Sequence, residues 1–419
     1  MDYTQAMEYM EWIGKRGSIL GLGPVKTLLE RLDNPQNEKK VIHVAGTNGK
    51  GSICTFLEAM YRAEGKTVGR YISPTLHTYL ERFQVNGIYM AEREFAKLLT
   101  RIMPVVQGME KEGLELPTAF EIETAVAFLY FVQQRVDLVI LETGMGGRED
   151  ATNVVAKPLC TVFASIGMDH MQFLGDTVEQ IALEKAGIMR DNCPVVSYPN
   201  RPEVCEVLKQ QSSLHNINPL FVNMEEIEIL SETLTGSRFC YKGEEYSIGL
   251  AGTYQIYNAA TAIACKLLLD GKLEKAALSR VHWEGRFELV SENPLFLKDG
   301  AHNMDGAEAL YKSLQKHFTN RKIIFIIGVL RDKEYEKMME LLCPMASCVC
   351  TLTPDSIRAL EAEKLQEAVR SYCQNVFCFD SVEGAVRKAK QVYGEYQLSG
   401  ERAVIVAWGS LSYIGQIQG

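Results

Sequence analysis

Short apolar runs alternate with longer amphipathic stretches along much of this chain. Val41–Ala45 is followed by the mixed stretch Ser52–Glu64, Leu138–Leu141 ends in a polar segment, and Leu159–Ala164 precedes Thr177–Ala186. Apolar runs of a few residues read as buried strands, and longer periodic stretches read as helices. Their alternation predicts an α/β chain whose mainly parallel sheet is covered by helices on both faces. Such sheets bind ligands at the carboxyl ends of their strands, so the residues just after each run are the candidates for chemistry.

The pattern changes between Leu220 and Leu250, where Arg238, Phe239, Cys240 and Tyr241, then Tyr246, Ser247 and Ile248, mix polar and apolar positions. That alternation predicts a small antiparallel sheet appended to the first domain. A helical stretch over Tyr257–Leu269 follows. Gly285–Asn293 then leads into Pro294 and a fresh strand, Leu295–Leu297, which starts a second α/β unit. This unit continues through Lys322–Gly328, a helix around Glu334–Leu342, Ser347–Leu352 and Ala403–Trp408. The expected division is a larger domain over 1–292 and a smaller one over 293–419.

Composition narrows the partners. Hydrophobic residues make up 47% and charged residues 23% of 419, which are globular proportions. Lys and Arg number 44 against 53 Asp and Glu, a formal charge of −9, which argues against nucleic acid as a partner. Runs such as Ile323–Ile327 and Ala403–Trp408 are too short to span a bilayer, so no membrane partner is expected. The opening Met1–Gly14 carries acidic residues and lacks the basic and long apolar regions of an export signal, so a cytoplasmic location is expected. The odd count of 11 cysteines, scattered through apolar contexts, fits a reducing compartment. Cys343, Cys348, Cys350, Cys373 and Cys378 lie close in sequence but lack the paired spacing of a zinc site.

Candidate chemistry begins at Gly46-Thr47-Asn48-Gly49-Lys50-Gly51-Ser52, between a strand and a helix start. Glycines let backbone N–H groups turn toward a polyphosphate, a helix N-terminus adds positive potential, and Lys50 adds a point charge. The string departs from the strict phosphate-loop pattern, because the first glycine lies close and Gly51 separates the lysine from the hydroxyl. On these residues alone an ordinary βα turn stays open. Glu142 follows the next strand and suits an oxygen ligand for Mg²⁺, while Asp169 and His170 follow Leu159–Ala164. Lys185 falls at a helix end, where a lysine ordinarily serves the helix dipole.

Taken together, these stretches resemble a known family. Gly46–Ser52, Ser73-Pro74-Thr75-Leu76 with Glu81-Arg82, Glu142–Asn153, Ser165–His170 and Glu184–Ile188 look like the folylpolyglutamate synthases and dihydrofolate synthases of the Mur ligase superfamily. The resemblance runs on through Asn258, Gly285–Glu288, Asp299-Gly300-Ala301-His302-Asn303, Asp332-Lys333 and Gly409-Ser410. Thr75, Glu149 and Met304 depart from residues common in that family.

The resemblance implies a P-loop-type N-terminal ATPase domain, a smaller Rossmann-like C-terminal domain, and catalysis between them. It implies nucleotide contacts from Thr47, Asn48, Gly49, Lys50, Gly51, Ser52, Asn258, Arg286 and Asp299. It implies Mg²⁺ at two sites with Ser73, Glu142 and His170 as ligands, and a carbamylated Lys185. Lys50, His170, Lys185 and His302 are the implied catalytic residues. Ser73, Pro74, Arg82, Thr118, Phe120, Glu121 and Ser410 are implied on the substrate side, with Phe120 next to a pterin. The implied substrates are ATP, L-glutamate and a folate or dihydropteroate, joined through an acyl phosphate, and a monomer is expected. A different Mur-type amino-acid ligase, or a regulatory ATPase lacking ligase activity, would share the phosphate loop.

Overall fold

The computed structural model describes residues 1–15, 17 and 21–417. Its contacts divide the chain into two compact units, one of residues 1–225 with 257–277 and one of residues 226–256 with 278–419.

The first unit is built on an eight-stranded sheet. In chain order its strands are β1 (Val41–Ala45), β2 (Val68–Tyr71), β3 (Phe83–Val85), β4 (Ile88–Tyr89), β5 (Leu138–Glu142), β6 (Cys160–Phe163), β7 (Val195–Ser197) and β8 (Leu220–Phe221). They lie side by side as β4-β3-β2-β5-β1-β6-β7-β8. The pairs from β2 to β8 are parallel, and β3 and β4 add an antiparallel edge. β1, β5 and β6 are buried at every residue, as strands covered on both faces must be.

One face of this sheet presents Val41, Tyr71, Val139 and Leu141 to a core with Phe95, Phe128 and Phe131. Further along the same face, Ala45 and Phe163 pack with Ile181, Ile188, Val204 and Leu208. The order β2-β5-β1-β6 brings four carboxyl-end loops together: the segment from Ile72, the segment from Thr143, the glycine-rich turn from Gly46, and the segment from Ala164. These loops hold most of the residues the sequence singled out in this half of the chain.

The second unit holds two sheets. β9 (Ile227–Thr233), β10 (Gly236–Tyr241) and β11 (Glu244–Ile248) form the antiparallel sheet in the order β11-β10-β9. The remaining strands are β12 (Glu288–Glu292), β13 (Leu295–Asp299), β14 (Lys322–Ile327), β15 (Ala346–Leu352), β16 (Val376–Phe379) and β17 (Ala403–Trp408), ordered β12-β13-β17-β14-β15-β16. All pairs in this sheet are parallel except the β12–β13 hairpin.

Three details differ from the reading of the sequence. The small sheet groups with the C-terminal unit, and Leu220 pairs with Val196 in the large sheet, outside the antiparallel one. The proline at 294 marks the turn of the β12–β13 hairpin, with Glu292 opposite Leu295, so strand pairing crosses the expected 292/293 division.

Candidate active site

In the first unit the glycine-rich turn is tied down from both sides. The Thr47 and Asn48 amides donate to the Ser165 carbonyl at 2.7 and 3.1 Å. The Thr47 hydroxyl donates to the Gly167 carbonyl and accepts from the Gly167 amide, both at 3.1 Å. Gly49 adopts φ +89°, and a Cβ there would stand 2.5 Å from Oδ1 of Asn258, so this backbone needs glycine for both conformation and space. The same contact puts Asn258 beside the turn, although it is distant in sequence. Helix Lys50–Ala63 then begins with no side chain capping its first turn, which leaves positive potential at the loop. Ser52 is buried within it.

Two lysines meet at one carbonyl oxygen. Lys50 Nζ donates to Gly46 O and Thr47 O, each at 3.2 Å, and lies 3.8 Å from Glu142 Oε1. Lys185 Nζ donates to the same Gly46 O at 2.9 Å. Lys185 is buried, and burial followed by the Lys50 charge pulls its pKa down from 10.5 to about 7, with Asp169 and Asp150 opposing.

Lys185 owes its place to helix Val178–Ala186, which is capped by Thr177, and to the loop after β5. Arg148 donates its amide to Glu184 O at 2.8 Å, and Asn153 donates to Gly187 O at 3.1 Å. The loop is held by Asp150, which accepts from the Met145 and Thr152 amides and the Thr152 hydroxyl. With its proton donated to Asp150, the Thr152 hydroxyl accepts from Nε2–H of His43 on β1, at 2.9 Å. Burial, then the Arg190 charge, holds His43 at a pKa of about 3, so this ring is neutral. Burial raises the pKa of Asp150. The reading of the sequence gave His43 no role, because a lone polar residue inside an apolar strand carries no motif.

The acceptor-side candidates sit after β2, just before β3 and at the start of helix Ala119–Gln133, while His170 follows β6. Ser73 is half-buried, Pro74 is exposed, and His170 is exposed with its backbone in the left-handed region at φ 51°. Thr118 and Glu121 form a capping box, Glu121 also accepts from the Val25 amide at 3.2 Å, and burial raises the Glu121 pKa. Phe120 packs on Gly144 and lies 5.9 Å from the Tyr71 ring centroid. Arg82 pairs with Glu123, which also accepts from the Tyr79 hydroxyl at 2.6 Å. Among the described residues no three His, Cys, Asp or Glu side chains gather as a metal cage.

The second unit holds its candidates at adjacent strand ends, since Asp299 of β13 pairs with Trp408 of β17. Buried Asp299 accepts from the Ala301 amide at 2.8 Å, the Phe287 amide at 2.7 Å and the Tyr254 hydroxyl at 3.3 Å. Burial raises its pKa and the Arg286 charge opposes that shift. His302 Nδ1 lies 2.7 Å from Gly300 O, so the neutral ring carries its lone pair on Nε2. Ser410 is buried, caps the short helix Leu411–Ile414, and shares a 2.7 Å hydrogen bond with the Ser412 hydroxyl.

Comparison with known proteins matches both halves. The Mur ligase middle domain matches residues 44–266, and the Mur ligase glutamate ligase domain matches residues 285–410. The chain is 35% identical to a dihydrofolate synthase/folylpolyglutamate synthase of Bacillus subtilis over 99% of both chains. It is 31% identical to the folylpolyglutamate synthase of Lacticaseibacillus casei, over 86% of this chain and 87% of that one. Among solved structures, Mycobacterium tuberculosis folylpolyglutamate synthase complexed with ADP and AMPPCP superposes with a TM-score of 0.91 at 28% identity, covering 99% of this chain and 98% of that one. With two Mur ligase domains in order and full-length relatives at this identity, the chain belongs to the folylpolyglutamate synthase/dihydrofolate synthase family of the Mur ligase superfamily.

Proposed function

We propose that this protein is an ATP-dependent ligase that joins L-glutamate to the carboxylate of a folate, of dihydropteroate, or of both. The observation that carries the reading is the pair of lysines on Gly46 O beside buried Glu142, at the mouth of an uncapped helix. An acceptor carboxylate attacking the γ-phosphate of ATP brings two anions together. Lys50 and the helix N-terminus offset that repulsion, and ADP leaves behind an acyl phosphate. The glutamate amine then attacks the acyl carbon and phosphate departs. In this reading Thr47–Ser52, Asn258, Arg286 and Asp299 hold the nucleotide, while His302 and Ser410 serve the incoming glutamate. Ser73, Pro74, Arg82, Thr118, Phe120 and Glu121 form the acceptor side, with Phe120 beside the pterin.

Two of the three candidate donors, the Ser73 hydroxyl and the Glu142 carboxylate, are oxygens of the kind Mg²⁺ favours, and His170 would add an imidazole nitrogen; they lie after β2, at the end of β5 and after β6. When bound, the ion neutralises phosphate charge. Lys185 fits a carbamate, because only the neutral amine adds CO₂ and its lowered pKa supplies that form near neutral pH. The domain over 1–292 serves ATP and the acceptor, and the domain over 293–419 serves glutamate and adds Asp299 to the nucleotide contacts, in a monomer working in the cytoplasm without nucleic-acid or membrane partners.

The test is ADP release with ATP, Mg²⁺ and glutamate, comparing dihydropteroate with tetrahydrofolate. Release that needs both glutamate and one of these acceptors supports the ligase, whereas release indifferent to both points to a regulatory ATPase. Lys185→Met is expected to abolish turnover, and an active variant removes Lys185 from the mechanism.

A further inference from the structure

Between Ile72 and Arg82 the chain leaves β2, runs through Ser73-Pro74, and returns to β3. The neck of this loop is closed by the Ile72 amide on Arg82 O at 3.2 Å. Its returning limb is fixed by Arg82 and Tyr79 on Glu123. The near stretch, 73–78, has no regular structure of its own, and three of its amides converge on one carboxylate. Glu81 accepts the amides of Leu76 at 2.6 Å, His77 at 2.7 Å and Thr78 at 2.9 Å. An ordinary capping box explains only the Thr78 bond. The other two reach back into the loop, and the helix that Glu81 caps is the short turn Tyr79–Arg82.

Glu81 is itself seated from below. Gln84 donates from Nε2 to the Glu81 carbonyl at 2.6 Å and accepts from Arg70, its cross-strand neighbour. Arg70 also donates to the Thr55 hydroxyl and pairs with Glu58 at 3.0 Å, and Thr55 donates to Gly51 O at 2.8 Å. Thr55, Glu58, Arg70, Glu81 and Gln84 are all at least nine-tenths buried. A continuous polar chain thus runs from the phosphate-loop helix, through the sheet edge, to the backbone of the 73–78 loop. Buried polar groups of this kind are costly unless fully paired, and when paired they fix one geometry.

We propose that Glu81, seated by Gln84 and Arg70, is a positioning residue that holds the 73–78 loop in the shape that receives the acceptor. This rests on the reading above that Ser73 and Pro74 lie on the acceptor side. Glu81 touches no reacting atom; it acts through the three amides it binds. In Glu81→Gln one accepting oxygen becomes an NH₂ facing backbone N–H groups, and the loop loses its anchor on that side.

The test measures KM for tetrahydrofolate and for dihydropteroate, KM for ATP, and thermal melting, in the wild type, Glu81→Gln and Gln84→Met. The expected result is an acceptor KM raised about tenfold in Glu81→Gln and about threefold in Gln84→Met, with the ATP KM within about twofold of wild type. Gln84→Met keeps the volume and the carboxylate, so it carries the test if Glu81→Gln fails to fold. An unchanged acceptor KM in folded variants overturns the proposal. So does a parallel rise in acceptor and ATP KM, which marks general loosening. A wild-type protein with no acceptor-dependent ADP release instead overturns the functional reading itself.

Discussion

At the scale of single residues, Lys185 connects stability to pH. Its folded pKa of about 7 lies below the ordinary 10.5, so between these values the unfolded chain binds a proton that the folded chain does not. Stability from this group therefore rises as pH climbs from about 7 toward 10.5, and below about 7 the folded state bears the full cost of burying the ammonium beside Lys50. In bicarbonate-free buffer the melting temperature of the wild type is expected to gain on that of Lys185→Met across this window. Parallel curves for the two proteins would show that folding does not lower the Lys185 pKa. The same burial that makes Lys185 costly as a cation makes it reactive as an amine, which links its energetic role to its proposed chemistry.

At the scale of elements, the loop after β5 and helix Val178–Ala186 act as one piece. A Cβ on Gly147 would lie 2.6 Å from Lys185 O and 2.8 Å from Glu184 O, both backbone atoms that cannot swing aside. Gly147→Ala is therefore expected to cost about 1–3 kcal/mol of stability through overpacking and to lower kcat by moving Lys185 off Gly46 O. Chemical denaturation and steady-state assay check the two parts, and a stable variant with unchanged kcat would show that the contact can relax. The glycine-rich turn, Glu142 and the strand ends were legible in the sequence, because apolar runs followed by glycine and charge leave a local pattern, whereas Lys185 stood out only through the family resemblance. Arg70, Gln84, His43 and Glu123 left none. Each is a polar residue on an element that otherwise reads as apolar or half-exposed, and each finds its partner far along the chain. The grouping of the small sheet with the C-terminal unit was hidden for the same reason, since it depends on contacts and leaves the hydrophobic pattern unchanged.

At the scale of the whole molecule, two large cores leave the fold independent of covalent staples. All eleven cysteines are free thiols. Eight are buried, and only Cys205, Cys240 and Cys378 reach intermediate exposure. Burial raises the pKa of Cys205 and Cys378, which lowers the thiolate fraction that reacts with disulfide reagents. The interior pair Cys348 and Cys350 lies on one strand, two residues apart, and is sealed from solvent. An aromatic disulfide reagent is therefore expected to titrate at most three thiols quickly in the native protein and all eleven after denaturation without reductant. Adding reductant should leave the melting temperature unchanged, because the folded state contains no cross-link to lose. Fewer than eleven thiols in the denatured, unreduced protein would reveal a disulfide and overturn this account. Rapid native reaction at more than three would mean that the cores open far more readily than their packing implies.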